Sequence, residues 1–129
     1  MLTLFVVPSG KPNANYGNTV DSFLHSSVRC DVVRVDDWRE INNYDHKKEW
    51  FAIFWDNEYI DVGIQEVLHL HLNNKAAQVI VIYKKLDEET IGYRTRIMRR
   101  AVYLGSDFKP IAPWIAYETL LDGWIKEHE

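Results

Sequence analysis

Apolar residues along this chain fall into compact runs separated by clusters of turn-forming residues, and the spacing within each run distinguishes strands from helices. Leu2 to Pro8 is continuous and apolar and is stopped by Pro8-Ser9-Gly10, the pattern of a buried strand ended by turn chemistry. Gly10 to Asn18 is rich in Gly, Pro and Asn and predicts a loop. Val20, Phe23, Leu24 and Ser27 then fall at helical spacing, behind Asn18 or Thr19 as a cap. Cys30 to Val35 returns as a β-branched strand ending at the acid pair Asp36-Asp37. Trp38 to Glu49 is polar and turn-rich and predicts at most a short helical piece.

Trp50 to Trp55 is a second compact apolar run, ended by Asp56-Asn57-Glu58. Ile60, Ile64, Val67, Leu68 and Leu72 recur at intervals of three and four and predict an amphipathic helix that Asn73-Asn74 ends. Ala77 to Tyr83 is a strand and the most β-branched segment of all. Ile91 to Leu104 fits either a strand or a helix. Ile115, Leu120, Leu121, Trp124 and Ile125 space like a closing helix over Trp114 to Lys126. Continuous apolar strands alternating with helices predict a three-layer α/β sandwich with a mostly parallel central sheet, formed as one domain over 1–129.

Composition narrows the class. With 47% apolar and 13% aromatic residues, the chain has the material for a core, which excludes disorder and low complexity. No apolar run approaches the roughly 20 residues of a membrane-spanning helix, so no membrane span is expected. The first residues lack the layout of a secretory signal, and Cys30 is the single cysteine, so no intrachain disulfide is possible. These features together point to a cytoplasmic setting. Charge is uneven: residues 1–74 carry 6 basic and 11 acidic side chains, whereas residues 75–101 carry 7 basic and 3 acidic. That balance argues against a general nucleic-acid coat protein and leaves one basic segment able to meet phosphate.

The strand ends hold the candidate chemistry, because open α/β sheets bind ligands outside the carboxyl ends of their strands. Asp36 and Asp37 after one strand suit hydrogen bonds to a ribose or base, and equally suit turn and cap positions. Asp56 and Glu58 stand two apart in a turn that can aim both at one hard cation, or serve as an acid cluster before a helix. Arg94, Arg96, Arg99 and Arg100 match phosphate oxygens as guanidinium forks, or are exposed charges. His69 and His71 lie two apart on one presumed helix and point to different faces, so they are poor partners for one metal. Cys30 has no neighbouring His and is expected to be a structural thiol.

In order along the chain, LFVVPSGKPNANYGNTVDSFLHSSVRCDVVRVDD, EWFAIFWDNEYID and RTRIMRRAVYLGSDFKPI resemble segments of the large inverting family of GT-A-fold glycosyltransferases. They are similar to its first βαβ unit, its D-x-D strand and a later Arg-rich segment. The resemblance implies a Rossmann-like nucleotide-diphospho-sugar transferase topology. It also implies nucleoside contacts from Asp36 or Asp37 and a base bordered by Pro8 and Lys11, while Arg99 and Arg100 of the Arg-rich segment are substrate-binding candidates by residue type. A Mn²⁺ or Mg²⁺ ion held by Asp56 and Glu58 would bridge protein and diphosphate. The family's Glu-Asp pair falls on Glu118-Thr119, so Glu118 would be the base that deprotonates the acceptor hydroxyl. Only 18 residues separate Asp37 from Asp56, where the family inserts a further strand and helix.

Two functions follow. One is a metal-dependent transferase that takes a nucleotide-diphosphate sugar and passes the sugar to an acceptor hydroxyl, with nucleic acid a partner only as a modified acceptor. The other is a non-catalytic regulatory or partner-binding module on a degenerate scaffold of the same kind. A homodimer would be one way to complete a shortened site.

Overall fold

The computed structural model describes residues 1–44, 48–87, 89–100 and 117–128. Strands β1 (Leu2–Val7), β2 (Cys30–Arg34), β3 (Trp50–Trp55), β4 (Glu58–Ile60), β5 (Val79–Lys85), β6 (Ile91–Arg99) and β7 (Tyr117–Glu127) are accompanied by helices α1 (Tyr16–Leu24) and α2 (Val62–Leu72) and a 3₁₀ helix, Trp38–Asn43. All seven strands join one sheet in the order β2-β1-β3-β6-β5-β7-β4.

This arrangement corrects the expected three-layer sandwich with a mostly parallel sheet, and with it the Rossmann-like GT-A topology that the resemblance implied. The sheet is mixed and curls into a half-barrel, with only two α-helices among the described residues. The β1–β2, β1–β3 and β5–β7 pairs are parallel, whereas β3–β6, β5–β6 and β4–β7 are antiparallel. Both α-helices cover the same face. Leu2, Leu4, Val6, Trp50, Ala52 and Phe54 point to it and meet Phe23 of α1 and Ile64, Leu68 and Leu72 of α2. The alternate residues Phe5, Val7, Phe51 and Ile53 point the other way and pack with Ile41 of the 3₁₀ helix. The continuous apolar runs signal strands buried on both faces, but among the described residues only the short 3₁₀ helix packs on the second face, where a helical layer was expected.

The closing helix expected over Trp114 to Lys126 is β7 in its described part, and residues 114–116 lie outside the described residues. Its pairing with β5 explains the misleading period. Ile82 faces Leu120, yet the next residue, Tyr83, faces Trp124, so Leu121 to Gly123 bulge out of the ladder. Leu120 and Ile125 are buried while Leu121 is 74% exposed. An inserted bulge turned a strand's alternation into spacings of four and five. The bulge is also where α2 docks. Asp61 caps α2, accepting from the Ile64 N–H at 3.2 Å, and its second oxygen accepts from the Trp124 N–H at 3.0 Å. A Cβ on Gly63 would stand 1.9 Å from the Asp122 carbonyl oxygen, and one on Gly123 would stand 2.0 Å from Asp61 Oδ1. Helix and bulge meet backbone to backbone.

Other elements follow the sequence closely. Helix α1 begins earlier than expected because Asn15, rather than Asn18 or Thr19, caps it, accepting from the Asn18 N–H at 3.2 Å. Thr19 turns inward instead. Strand β6 resolves the ambiguity of Ile91 to Leu104 as far as Arg99, and residues 101–104 lie outside the described part. Among the described residues no helix is long and apolar enough to cross a membrane.

Candidate functional site

Strand direction gathers the site. Strands β1, β3, β5 and β7 all run toward one edge of the sheet, and β4 and β6 start there because each is antiparallel to its neighbours. The loop after β1, the end of β3, the first half of β6 and the ends of β5 and β7 therefore converge. They enclose a cleft of about 430 Å³ lined by Lys11, Lys84, Arg94 and Arg96, with Ser9, Trp55, Asn57 and Glu127. Four cations face one carboxylate across this space.

The loop carrying Lys11 is stapled by Asp56. The Ser9 N–H donates to Asp56 Oδ1 at 2.9 Å, the Asn15 N–H donates to the Asp56 carbonyl at 2.7 Å, and the Lys11 N–H donates to Ser9 Oγ at 3.2 Å. Gly10 sits at φ +70° with open space around a Cβ, so glycine is needed there for backbone conformation and not for room. Asp56 thus organises the loop.

Beneath the cleft, Glu58 is completely buried at the start of β4. Arg96 Nη1 donates to its Oε1 at 2.6 Å and Arg96 Nη2 to its Oε2 at 3.2 Å. Lys84 Nζ donates to Oε2 at 2.5 Å, and the Trp55 N–H to Oε1 at 2.9 Å. Burial alone would push the Glu58 carboxyl up, but Arg96 and Lys84 beside it hold it below the ordinary carboxylate range. Lys84 also donates to Glu127 Oε1 at 2.8 Å. Thr19 Oγ1 donates to the Glu58 carbonyl oxygen at 2.5 Å, lies 3.2 Å from that of Asp56, and ties α1 to the same turn.

The expected metal pair does not fit a metal. A carboxylate offers about four lone-pair sites, and four donors already occupy those of Glu58. One oxygen of Asp56 is spent on Ser9. Among the described residues, no group of three or more His, Cys, Asp or Glu side chains is placed to hold a metal ion.

Other expected residues divide between cleft and elsewhere. Lys11 lines the cleft, as do Arg94 and Arg96 of the basic segment. Pro8 is exposed where β1 ends. Asp36 and Asp37 follow β2, two strands from β3 in the sheet. Asp37 caps the 3₁₀ helix and pairs with Arg39 at 2.7 Å, which holds its carboxyl down to about 2. Arg99 and Arg100 lie at the opposite edge, where Arg99 pairs with Trp50 in register, ion-pairs with Glu49 and donates to the Ala77 and Asn74 carbonyls. Glu118 is there too. It pairs with Ile80, whereas Ile125 pairs with Lys84, a separation of about 13 Å at ~3.3 Å per strand residue. His71 Nδ1 lies 3.2 Å from Glu118 and Asn74 donates to Glu118 at 3.2 Å. Cys30 is a half-buried free thiol at the start of β2, pushed up to about 11 by burial.

Glu127 is a cleft-lining carboxylate that sequence reasoning missed, because it follows directly on a segment expected to be helical. Lys84 carried a usable signal: it continues the inward alternation of Ile80 and Ile82, and a lysine on a core face demands a buried acid. No protein-family model, curated protein or solved structure matches this chain.

Proposed function

We propose that the chain binds a nucleotide-diphosphate sugar in the cationic cleft and transfers the sugar to an acceptor hydroxyl. The observation that carries this reading is the convergence of Lys11, Lys84, Arg94 and Arg96 on one cleft at the carboxyl ends of β1, β3 and β5. Guanidinium forks and ammonium groups recognise phosphate oxygens. They also stabilise the charge that develops on a departing diphosphate. In the transfer, the acceptor oxygen bonds to the anomeric carbon as the bond from that carbon to the phosphate oxygen breaks. The hydroxyl proton goes to a carboxylate, and the nucleoside diphosphate leaves. Glu127, on the cleft wall and 39% exposed at its side chain, takes the base role that the resemblance gives to Glu118. A wider trough of about 860 Å³, lined by Tyr59, Ile91 and Trp124, meets the cleft at Glu127 and offers aromatic surface to an acceptor.

The test is thermal unfolding with a panel of sugar nucleotides, followed by a transfer assay with any that bind. A ligand at about 100 times its dissociation constant stabilises the folded chain by about 2.7 kcal/mol. Stabilisation by one sugar nucleotide, lost in Arg94→Ala, supports the proposal. Absence of a shift across the panel overturns it.

The non-catalytic alternative has its own observation. Leu86, Ile91 and Tyr93 on the β5–β6 hairpin are 47%, 57% and 66% exposed, an apolar surface suited to a protein partner. A monomer with turnover would eliminate it.

A further inference from the structure

We infer that the cleft holds a bound diphosphate with its own side-chain cations and takes no divalent metal there. The inference rests on the donor-binding reading above and concerns how that same site handles charge. It begins with the disagreement between the D-x-E pattern and the geometry it adopts. In the fold, Glu58 is not a ligand aimed at solvent but the buried base of a cation cluster. Its four acceptor positions are filled by Arg96, Lys84 and the Trp55 N–H.

For Glu58 to coordinate a metal, Arg96 or Lys84 must let go. Their side chains are only 7% and 11% exposed, so each released charge would be stranded away from water. The entering dication would also stand within a few ångströms of those same positive groups and be repelled by them. Asp56 is no better placed: it is buried, and its Oδ1 holds the Ser9 N–H that shapes the Lys11 loop. Magnesium-type ions are held by one or two carboxylates together with substrate phosphates. Glu58 cannot join Asp56 in such a site without giving up its own donors.

The cations that replace the metal are graded. Arg96 and Lys84 are fixed by Glu58, and Lys84 also by Glu127, so together they form a rigid floor whose charges are largely balanced. Lys11 is exposed and Arg94 half-buried, and neither is ion-paired to a carboxylate among the described residues. These two, Arg94 with its Nη1 donating to the Tyr93 carbonyl at 3.0 Å, are the arms that reach phosphate oxygens over the floor. Even with Glu58, Asp56 and Glu127 counted, cations remain in the majority around the cleft.

The experiment is titration calorimetry of the full chain with inorganic pyrophosphate and the common ribonucleoside diphosphates, in Mn²⁺ and in EDTA. The expected result is binding of at least one probe with the same affinity, within about twofold, in both buffers. Arg94→Ala and Lys11→Ala, which leave the buried cluster intact, each weaken it about tenfold or more, the scale of a lost charge-assisted hydrogen bond. Binding that appears only with Mn²⁺ and is abolished by Asp56→Ala overturns the inference while the diphosphate-binding reading stands. Failure of every probe in both buffers overturns that reading, and the inference with it. Manganese binding to the chain alone, followed by electron paramagnetic resonance, is expected to be absent, and a bound ion at Asp56 would overturn the inference independently.

Discussion

The two edges of the sheet are both rich in charge, yet they have opposite character. At the edge where β3 begins, Arg99 spends its guanidinium on the Ala77 and Asn74 carbonyls, pairs with Glu49 and lies 4.3 Å over the Trp50 ring. Glu118 accepts from Asn74 just past α2 and lies 3.2 Å from His71. These groups close the end of the fold. At the edge where β3 finishes, Glu58 fixes Arg96 and Lys84 from below while Lys11 and Arg94 stand over open space. An arginine there completes a surface instead of a scaffold. Charge type and charge number do not distinguish the two edges. What differs is whether the donors are satisfied by the fold or converge on a cleft.

The strongest way to break this comparison is to remove the buried carboxylate. Glu58→Ala strands two buried cations and should cost about 3–5 kcal/mol in urea unfolding, whereas Glu118→Ala at the other edge should cost less than about 1 kcal/mol. Equal losses would show that the edges are energetically alike. Acid sharpens the same contrast. The folded Glu58 carboxyl lies below its ordinary value, so its stabilisation is complete above the ordinary carboxylate range and is lost as pH falls through the lowered value. The stability–pH curve of Glu58→Gln should lack that acid-side decline, while that of Glu118→Gln should keep it.

Gly63→Ala pushes a methyl into the Asp122 carbonyl, and overpacking of this kind costs about 1–3 kcal/mol by denaturant midpoint. It tests whether the bulge of β7, which carries Glu127 toward the cleft, is held by α2. Swapping the arginines comes next. Arg94→Ala should weaken diphosphate binding with the unfolding midpoint unchanged, and Arg99→Ala should do the reverse. The smallest effect belongs to Asp37→Ala, whose carboxylate is occupied with Arg39 and the 3₁₀ helix. Ligand affinity should not change, and a loss would bring Asp37 back as a nucleoside contact.

Much of the local structure was legible. Leu2 to Val7 and Trp50 to Trp55 are strands because their apolar residues continue without a break, and α2 is a helix because Ile64, Leu68 and Leu72 fall on one stripe. The cations Lys11, Arg94 and Arg96 were also visible as phosphate-binding residue types. Asp56 and Glu58 were legible as a pair after a strand, but their role was not. A D-x-E turn looks the same whether it faces solvent or a buried arginine, and that arginine lies 38 residues away from Glu58. Arg99, Arg100 and Glu118 were chosen by residue type and order alone, and strand direction put them at the far edge.

By itself, the sequence determined where apolar side chains repeat, and therefore most of the strands and both helices, because those periods follow from local backbone geometry. It also determined which charges exist. Only the tertiary structure decided which of those charges meet. The antiparallel run of β6 places Arg94 and Arg96 beside the ends of β3 and β5, and the bulge at Leu121 to Gly123 makes β7 a strand that brings Glu127 to Lys84. Both are long-range pairings, set by backbone hydrogen bonds and burial across the whole sheet, and no window of local sequence contains them.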